Sequence, residues 1–289
     1  MIARLRSLLF VPGGRPDLLP KVGRARPDAV VVDLEDAVAP DAKDTARAAA
    51  VDALTAGRPD AGTVLLRVNP PGTPWHEADV AAAAGAGASG AIDGVVLPKY
   101  ERADQLAAVW AALPSGARVV VGLETARGVA DARPLLAQRP DAAYFGAEDY
   151  AADIGGRRTA AGTEVLYARS AVCLAAHLAG VLALDQAVVA VRDADAFRAD
   201  AGQGRDIGYR GKICLHPVQV AIAHEVFTPS EAEVEHARAV LAAAEQGVGV
   251  VDGEMVDAVH VTMARRVLAA ADDTAADDTA AGERACGSA

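Results

Sequence analysis

Short apolar runs alternate along the chain with Ala-rich stretches of helical spacing, and each apolar run ends in polar or turn residues. Runs that are apolar throughout are typical of parallel strands buried on both faces, and helical segments between them favour parallel pairing. The eight strand-like runs are Leu8–Val11, Ala29–Asp33, Val64–Val68, Gly94–Pro98, Val119–Leu123, Ala143–Gly146, Val188–Val191 and Lys212–Leu215. Eight such units predict an α/β fold, a closed (β/α)8 TIM barrel rather than an open doubly wound sheet.

Helix signals divide the chain further. Pro16 and Asp17 open a first helix, and a second helix is predicted over Asp41–Asp52. Beyond the eighth strand, helical spacing continues over Ser230–Gln246 and Met255–Ala271. The last stretch repeats Ala-Asp-Asp-Thr and then becomes rich in Gly and Ser, which is typical of disorder. We therefore predict a barrel over 1–228, a C-terminal helical extension or lid over 229–271, and a disordered tail over 272–289.

Composition restricts the class of partner. Hydrophobic residues make up 52% of the chain and aromatic residues only 4%, which suits a core of aliphatic layers. The net charge of -11 argues against nucleic acid as the main partner, because phosphate binding needs a basic face. No apolar run approaches the length of a membrane span. Cys173, Cys214 and Cys286 are odd in number and far apart, which argues against a disulfide framework or zinc cluster and favours a cytoplasmic location.

Polar residues collect where the predicted strands end. In α/β barrels the carboxyl ends of the strands form the rim that carries the chemistry. The polar segments at these ends are Pro12-Gly13-Gly14-Arg15, Asp33-Leu34-Glu35-Asp36, Arg67-Val68-Asn69, Pro98-Lys99, Glu124-Thr125, Gly146-Ala147-Glu148-Asp149 and His216-Pro217. Charge on one rim indicates an enzyme, because charge scattered over the surface would not coincide with strand ends so regularly.

Glu124 and Asp149 follow adjacent predicted strands, so their carboxylates can converge on one hard cation. Mg2+ commonly takes one or two protein carboxylates and completes its shell with substrate oxygens and water. No set of His or Cys residues has zinc spacing. On position alone, local salt bridges at the rim remain the alternative to metal binding.

Asp33, Glu35 and Asp36 form an acidic cluster after the second strand, and alternation puts Asp33 and Glu35 on one side. These acids could support a metal site without contacting the metal, by holding waters or a lysine. Alternatively, they could cap a helix. Arg67 ends an apolar strand, where its planar guanidinium suits a carboxylate. That carboxylate belongs either to the substrate or to Asp33 or Glu35.

Two further rim residues leave alternatives open. Lys99 could form a Schiff base, but acidic neighbours would raise its pKa, so a structural ion pair is favoured. His216 is either an acid, a base or a substrate contact, or else a buried, hydrogen-bonded side chain.

With these residues assembled, the chain resembles the citrate-lyase beta-subunit-like family, in the aldolase/citrate lyase superfamily that also contains malyl-CoA and citramalyl-CoA lyases. The resemblance runs from Arg6-Ser7 to about Ala270. Its motifs are Arg6-Ser7-Leu8-Leu9-Phe10-Val11-Pro12-Gly13, Asp33-Leu34-Glu35-Asp36-Ala37-Val38, Arg67-Val68-Asn69, Leu97-Pro98-Lys99, Glu124-Thr125-Ala126-Arg127-Gly128, Gly146-Ala147-Glu148-Asp149, Lys212-Ile213-Cys214-Leu215-His216-Pro217 and Asp252-Gly253-Glu254-Met255-Val256-Asp257.

The resemblance implies a (β/α)8 barrel, usually a homotrimer, with Mg2+ held by Glu124 and Asp149. It implies that Arg67 binds the carboxyl or carbonyl group of the substrate. It also implies that Asp257 lies in a C-terminal lid over a neighbouring subunit's site and serves in acid/base catalysis. The resemblance further implies that Lys21 lies at the CoA moiety and that the Leu215-His216 turn lies near the thioester.

The function that the resemblance implies is a Mg2+-dependent carbon–carbon lyase. It would cleave or form a 3-hydroxy-acyl-CoA thioester such as citramalyl-, malyl- or citryl-CoA, giving acetyl-CoA or another acyl-CoA and a keto acid. The alternatives are the citryl-carrier lyase subunit of a citrate lyase complex and a metal-dependent aldolase of a free hydroxy-keto acid. The remaining alternative is a barrel that binds a ligand and is not an enzyme.

Overall fold

The computed structural model describes residues 4–245 and 249–286, with the side chains of 4–244 and 249–272. The chain folds as two compact units, Met1–Glu225 and Val226–Ala289, so the first unit ends three residues before the predicted boundary at 228. None of the helices among these residues combines the length and the apolar composition that crossing a membrane requires.

Eight parallel strands form the first unit, as predicted. Each strand pairs with the next along the chain, and the eighth pairs with the first, so the sheet closes into a barrel. The strands are β1 (Ser7–Pro12), β2 (Ala29–Asp33), β3 (Thr63–Arg67), β4 (Gly94–Leu97), β5 (Arg118–Leu123), β6 (Ala142–Phe145), β7 (Leu182–Asp185) and β8 (Gly211–Cys214). The predicted α/β (β/α)8 fold class is confirmed.

Helices lie between successive strands from β2 onward, and one more follows β8. They are α1 (Lys43–Ala56), α2 (His76–Ala88), α3 (Ala103–Ala112), α4 (Ala126–Ala130), α5 (Ala132–Leu136), α6 (Ala147–Asp153), α7 (Leu166–Ala179), α8 (Ala194–Ile207) and α9 (Pro217–Phe227). The helix predicted at Pro16 is a 3-10 helix over Pro16–Arg24, and a short 3-10 turn over Pro40–Ala42 precedes α1.

The seventh strand is not where the sequence predicts it. The prediction is Val188–Val191, whereas β7 is Leu182–Asp185 and Val189 is exposed. The helix α7 ends at Gly180 in the left-handed conformation, φ 67°, which turns the chain directly into β7. Leu-Ala-Leu reads equally well as a continuation of the helix, and the Val-rich run that follows has the stronger β propensity.

Alternation along the strands decides which side chains fill the barrel. Leu8, Val31, Leu65, Val120 and Tyr144 share one buried cluster with neighbouring apolar residues. Residues two positions further along a strand point to the same side. Asp33 and Arg67 therefore face the barrel interior just above this apolar layer, and Glu124 follows four residues after Val120.

The second unit contains a helical hairpin and a small sheet. Its elements are α10 (Glu231–Glu245), β9 (Gly249–Val251), β10 (Glu254–Val256) and α11 (Ala258–Cys286). β9 and β10 pair antiparallel across a turn in which Asp252 and Gly253 both have positive φ. Ala237, Val240, Val256 and Ala264 form a buried cluster of their own.

Two predictions for the second unit need correction. The helix predicted from Met255 begins at Ala258, because 254–256 pair as a strand. Asp-Gly between apolar residues is a strong hairpin signal that the prediction overlooked. The tail predicted as disordered from 272 is helical as far as Cys286, in keeping with its many alanines, while 287–289 lie outside the described residues. Gln246, the predicted end of the first helix, also lies outside them.

Candidate active site

Arg67 is the centre of the charged cluster at the barrel rim. Asp33 and Arg67 are opposite each other in the register of β2 and β3. The Arg67 Nε and one terminal nitrogen each donate to an oxygen of Asp33 at 2.7 Å, and the other terminal nitrogen lies 2.7 Å from Glu35 Oε2. The guanidinium also stacks 4.9 Å from the centre of the Phe10 ring. Of the partners predicted for Arg67, the structure thus supplies both Asp33 and Glu35.

Lys99 connects this cluster to Asp149, which follows β6. Its Nζ lies 2.5 Å from Glu35 Oε1, 3.2 Å from Asp149 Oδ1 and 3.8 Å from Asp36. Burial lowers the pKa of Lys99, but the nearby Glu35 carboxylate raises it by more. The pKa of the lysine is therefore above its ordinary value. The predicted ion pair is confirmed, and a raised pKa disfavours a Schiff-base role. Asp36 is mostly exposed and contributes only the longest of these contacts.

Glu124 is as deeply buried as Asp33 and Glu35, with 2% of its surface exposed. Its Oε1 accepts a hydrogen bond of 2.8 Å from the backbone N–H of Lys99. Lys99 takes φ +49° to make it, a conformation that non-glycine residues rarely adopt and that often marks functional sites. A Cβ on Gly146 would lie 2.4 Å from Glu124 Oε2, so a glycine is needed beside this carboxylate.

The electrostatics around Glu124 favour a cation. Burial, and then the nearby Glu35 carboxylate, raise the pKa of Glu124 to about 8, and Asp149 adds to the effect. Burial also raises the pKa of Glu35. This rim cluster holds five carboxyl groups against two cationic side chains; its members are Asp33, Glu35, Asp36, Glu124, Asp149, Arg67 and Lys99. A divalent cation beside Glu124 and Asp149 would offset this excess of acids.

The donor set fits only a cation that accepts few protein ligands. Among the residues whose positions are described, no three His, Cys, Asp or Glu side chains are arranged so that they could hold one metal ion together. Glu124 and Asp149 would therefore share the cation with oxygens from water or substrate. Mg2+ accepts such coordination, whereas structural zinc does not.

A buried frame that the sequence analysis missed holds the β2 loop in place. Lys43, on the first turn of α1, donates to the carbonyl oxygens of Leu34 and Glu35 at 2.8 and 2.7 Å and to Asn69 Oδ1 at 2.6 Å. Asn69 in turn donates from Nδ2 to Asp79 at 2.6 Å. Asn69 was visible as part of a strand-end motif, but nothing in the pattern of α1 distinguishes Lys43 from a solvent-facing lysine.

Several predicted residues lie outside this cluster. Lys21 is exposed, with Asp17 at 3.6 Å. The backbone N–H of Leu215 and that of His216 donate to Gln219 Oε1 at 2.7 and 3.3 Å. His216 Nδ1 accepts from the Val218 N–H at 3.3 Å, so this histidine caps the start of α9.

Asp257 belongs to the second unit and immediately precedes α11. Its Oδ1 accepts the Val259 N–H at 2.8 Å and lies 2.8 Å from His260 Nδ1. The hydrogen bond with His260 lowers the pKa of Asp257. His260 was not singled out from the sequence, although its spacing of three residues from a helix-capping acid is a recognisable signal.

Similarity to known proteins covers almost the whole chain. Residues 6–217 match the family HpcH/HpaI aldolase/citrate lyase. A citrate lyase subunit beta-like protein from Deinococcus radiodurans is 47% identical over 283 residues, covering 92% of this chain and 97% of the relative. A (3S)-malyl-CoA thioesterase from Cereibacter sphaeroides is 37% identical over 274 residues, covering 92% and 94%.

A solved structure is also similar to this chain over almost its whole length. The crystal structure of CitE from Mycobacterium tuberculosis, in complex with magnesium, acetoacetate and coenzyme A, has a TM-score of 0.81 and 32% identity, and the match covers 94% of this chain and 100% of that one. Family, relatives and structure together support a lyase-type enzyme. The chain belongs to the HpcH/HpaI aldolase/citrate lyase family.

Proposed function

We propose that the chain is a Mg2+-dependent carbon–carbon lyase that cleaves, or forms in reverse, a 3-hydroxy-acyl-CoA thioester. Malyl-, citramalyl- and citryl-CoA are the candidate substrates, with acetyl-CoA or another acyl-CoA and a keto acid as products. The observation that carries the proposal is the buried rim cluster, in which carboxyl groups outnumber cations around Arg67. The similar CitE structure holds magnesium, a keto acid and coenzyme A, the same three chemical classes.

Glu124 and Asp149 are the proposed magnesium ligands. Glu124 is buried among other acids, where a bound cation would favour its ionised form. When bound, Mg2+ polarises the oxygens of the keto-acid half and stabilises negative charge there. Lys99 is proposed to hold Asp149 and Glu35 in place through the contacts of 3.2 and 2.5 Å.

Arg67 is proposed to orient the carboxylate of the substrate. Asp33 and Glu35 already fix its guanidinium, so little side-chain freedom is lost when substrate binds. In cleavage, the substrate hydroxyl gives its proton to water in the site, its oxygen becomes the carbonyl oxygen of the keto acid, the carbon–carbon bond breaks, and the bonding electron pair forms the enolate of the acyl thioester. Lys21 and the Leu215-His216 turn are proposed to contact the CoA moiety and the thioester.

Asp257 is proposed to give its proton to the enolate carbon in cleavage and to remove that proton in condensation. Its pKa is lowered by the hydrogen bond with His260. Desolvation beneath a closed lid would raise that pKa toward the range that proton transfer needs. We propose that the site receiving Asp257 belongs to a neighbouring subunit of a homotrimer.

Mixing two inactive variants tests this shared site. Glu124→Gln would remove a magnesium ligand, and Asp257→Asn would remove the proton carrier. Hybrids assembled from equal amounts of both should regain up to about a quarter of wild-type activity, because some sites combine an intact barrel with an intact lid. Light scattering gives the subunit number. A monomer, or hybrids without recovery, would exclude a site shared between subunits.

The lyase proposal is tested by product analysis over a panel of 3-hydroxy-acyl-CoA thioesters. We expect one substrate to release acetyl-CoA and a keto acid with Mg2+ and neither product with EDTA. Asp257→Ala should lower kcat by about 10²–10⁴-fold, the usual contribution of a positioned acid or base. Cleavage that is unaffected by EDTA would contradict the proposed metal site.

Hydrolysis of the thioester is the second candidate function. It is favoured by the 37% identical relative named (3S)-malyl-CoA thioesterase. The same assay separates the two reactions, because a thioesterase releases free coenzyme A and the intact hydroxy acid. Inactivity toward every CoA thioester would instead favour a carrier-bound citryl substrate or a free hydroxy-keto acid.

A further inference from the structure

A tyrosine that the proposed mechanism does not use reaches the rim cluster from below. Tyr144 on β6 faces the barrel interior and is 1% exposed. Its register partner on β5 is Gly122. A Cβ on Gly122 would lie 2.3 Å from the Tyr144 hydroxyl and 3.0 Å from Glu124 Oε1. The missing side chain of Gly122 thus leaves one small space that the phenol oxygen and the Glu124 carboxylate share.

The hydroxyl of Tyr144 is buried, and the Glu124 carboxylate is its hydrogen-bonding neighbour, but the contact lacks the geometry of a fully formed hydrogen bond, and no other described residue supplies one. A buried hydroxyl without a partner is costly, and most such groups in proteins are satisfied. The groups whose charge acts most strongly on it are Glu124, Arg67 and Glu35, all members of the rim cluster. An apolar phenylalanine would fill the same part of the core without this cost, so the position of the oxygen needs a reason.

We infer that Tyr144 is a positioning residue for the cation site, whose hydroxyl donates a hydrogen bond to Glu124 Oε1 when the cation is bound. The inference rests on the proposed assignment of Glu124 as a metal ligand. Oε1 already accepts the Lys99 N–H at 2.8 Å, and Oε2 lies against Gly146. A second donor at Oε1 would fix the rotation of the carboxylate and direct its remaining lone pairs to the cation. Partners of this kind commonly change metal affinity by about 10–100-fold.

The test is Tyr144→Phe in the full-length protein, with Mn2+ as the probe because it takes the same oxygen ligands as Mg2+. Electron paramagnetic resonance of free Mn2+ gives the dissociation constant without any turnover. We expect the variant to bind Mn2+ about tenfold or more weakly. The activation constant for Mg2+ should rise by the same factor, while kcat at saturating Mg2+ stays near the wild-type value.

Tyr209→Phe is the matched control. Tyr209 is equally buried, but its hydroxyl donates to the Arg169 carbonyl oxygen at 2.6 Å. Removing that bonded oxygen should lower the melting temperature and leave Mn2+ binding unchanged. Tyr144→Phe should do the reverse, since the metal-free protein loses a buried hydroxyl that has no well-formed hydrogen bond, and its melting temperature should hold or rise.

The outcomes separate this inference from the proposal on which it rests. Wild-type Mn2+ affinity in Tyr144→Phe would overturn the role of Tyr144 alone. A wild-type protein that binds no Mn2+ would overturn the cation site and the role of Tyr144 together. Mn2+ binding that weakens in Tyr144→Phe, in a protein that cleaves no thioester, would retain the positioning role and overturn only the reaction.

Discussion

Arg67 is held in a nearly closed pocket by two carboxylates that are themselves buried, each with 3% of its side chain exposed. An ion pair of this kind contributes little compared with apolar residues, but removing one partner leaves the other charge buried and uncompensated. The stability of the barrel and the positioning of its proposed substrate carboxylate therefore depend on the same side chain.

Replacing Arg67 with Met should lower the free energy of unfolding by about 3–5 kcal/mol, because Asp33 and Glu35 lose their main cation. Urea denaturation of the metal-free protein measures the loss. Arg15→Met is the control, since Arg15 and Asp17 form an equally short ion pair of 2.7 Å that lies in solvent. Equal effects of both substitutions would contradict the view that burial gives the Arg67 pair its importance.

At the scale of elements, the carboxyl ends of the strands were the most predictable part of the molecule. Glu124, Arg67 and Asp33 follow apolar runs directly, so alternation alone places them at the rim. Asp185, the acid that ends β7, is not predicted as a strand end, because β7 is a short Leu-Ala-Leu run that follows a helix without a polar break. Strands whose residues also favour helices are not distinguished by periodicity.

The supporting residues could not be predicted for a different reason. Tyr144 and Lys43 act through packing between elements, and each looks ordinary within its own segment. The role inferred for Tyr144 depends on Gly122 of the neighbouring strand, and the role of Lys43 depends on Asn69, which follows β3. Such pairs become visible only when register and helix placement are known.

The opposite ends of the strands carry an ion cluster without a place in the proposed chemistry. Asp28, just before β2, accepts hydrogen bonds from the Arg6 backbone N–H at 2.7 Å and from its guanidinium at 2.9 and 3.1 Å. His224 of α9 lies 3.3 Å from the same carboxylate. This cluster fastens the starts of β1 and β2 to α9, so its role is stability.

Asp28→Asn should destabilise the protein in a pH-dependent way. Burial opposes the charge of Asp28, but hydrogen bonds from His224 and Arg6 prevail and hold its pKa well below the ordinary value. Its contribution is therefore complete above about pH 4, the usual pKa of Asp, and is lost as the pH falls toward the lowered pKa. We expect a loss of about 2 kcal/mol near pH 7 that shrinks by pH 3. A loss independent of pH in urea titrations would contradict this.

At the scale of the whole molecule, each of the two units has an apolar cluster of its own. One fills the barrel with side chains from β1 to β8, and the other lies between α10, α11 and the β9–β10 hairpin. Every residue of the rim cluster comes from the first unit, whereas Asp257 comes from the second. Binding of the cation and transfer of the proton are thus assigned to different units.

This division predicts the behaviour of a chain shortened to residues 1–228, which keeps all eight strands and the whole of α9. Because the barrel core does not draw on the second unit, the shortened chain should unfold cooperatively when followed by circular dichroism. It should bind Mn2+ with the affinity of the full chain, since both proposed ligands are retained. Its lyase activity should fall by at least the factor of about 10²–10⁴ expected for Asp257→Ala. A shortened chain that folds but binds no Mn2+ would mean that the cation site needs residues from the second unit, and one that retains activity would remove Asp257 from the mechanism.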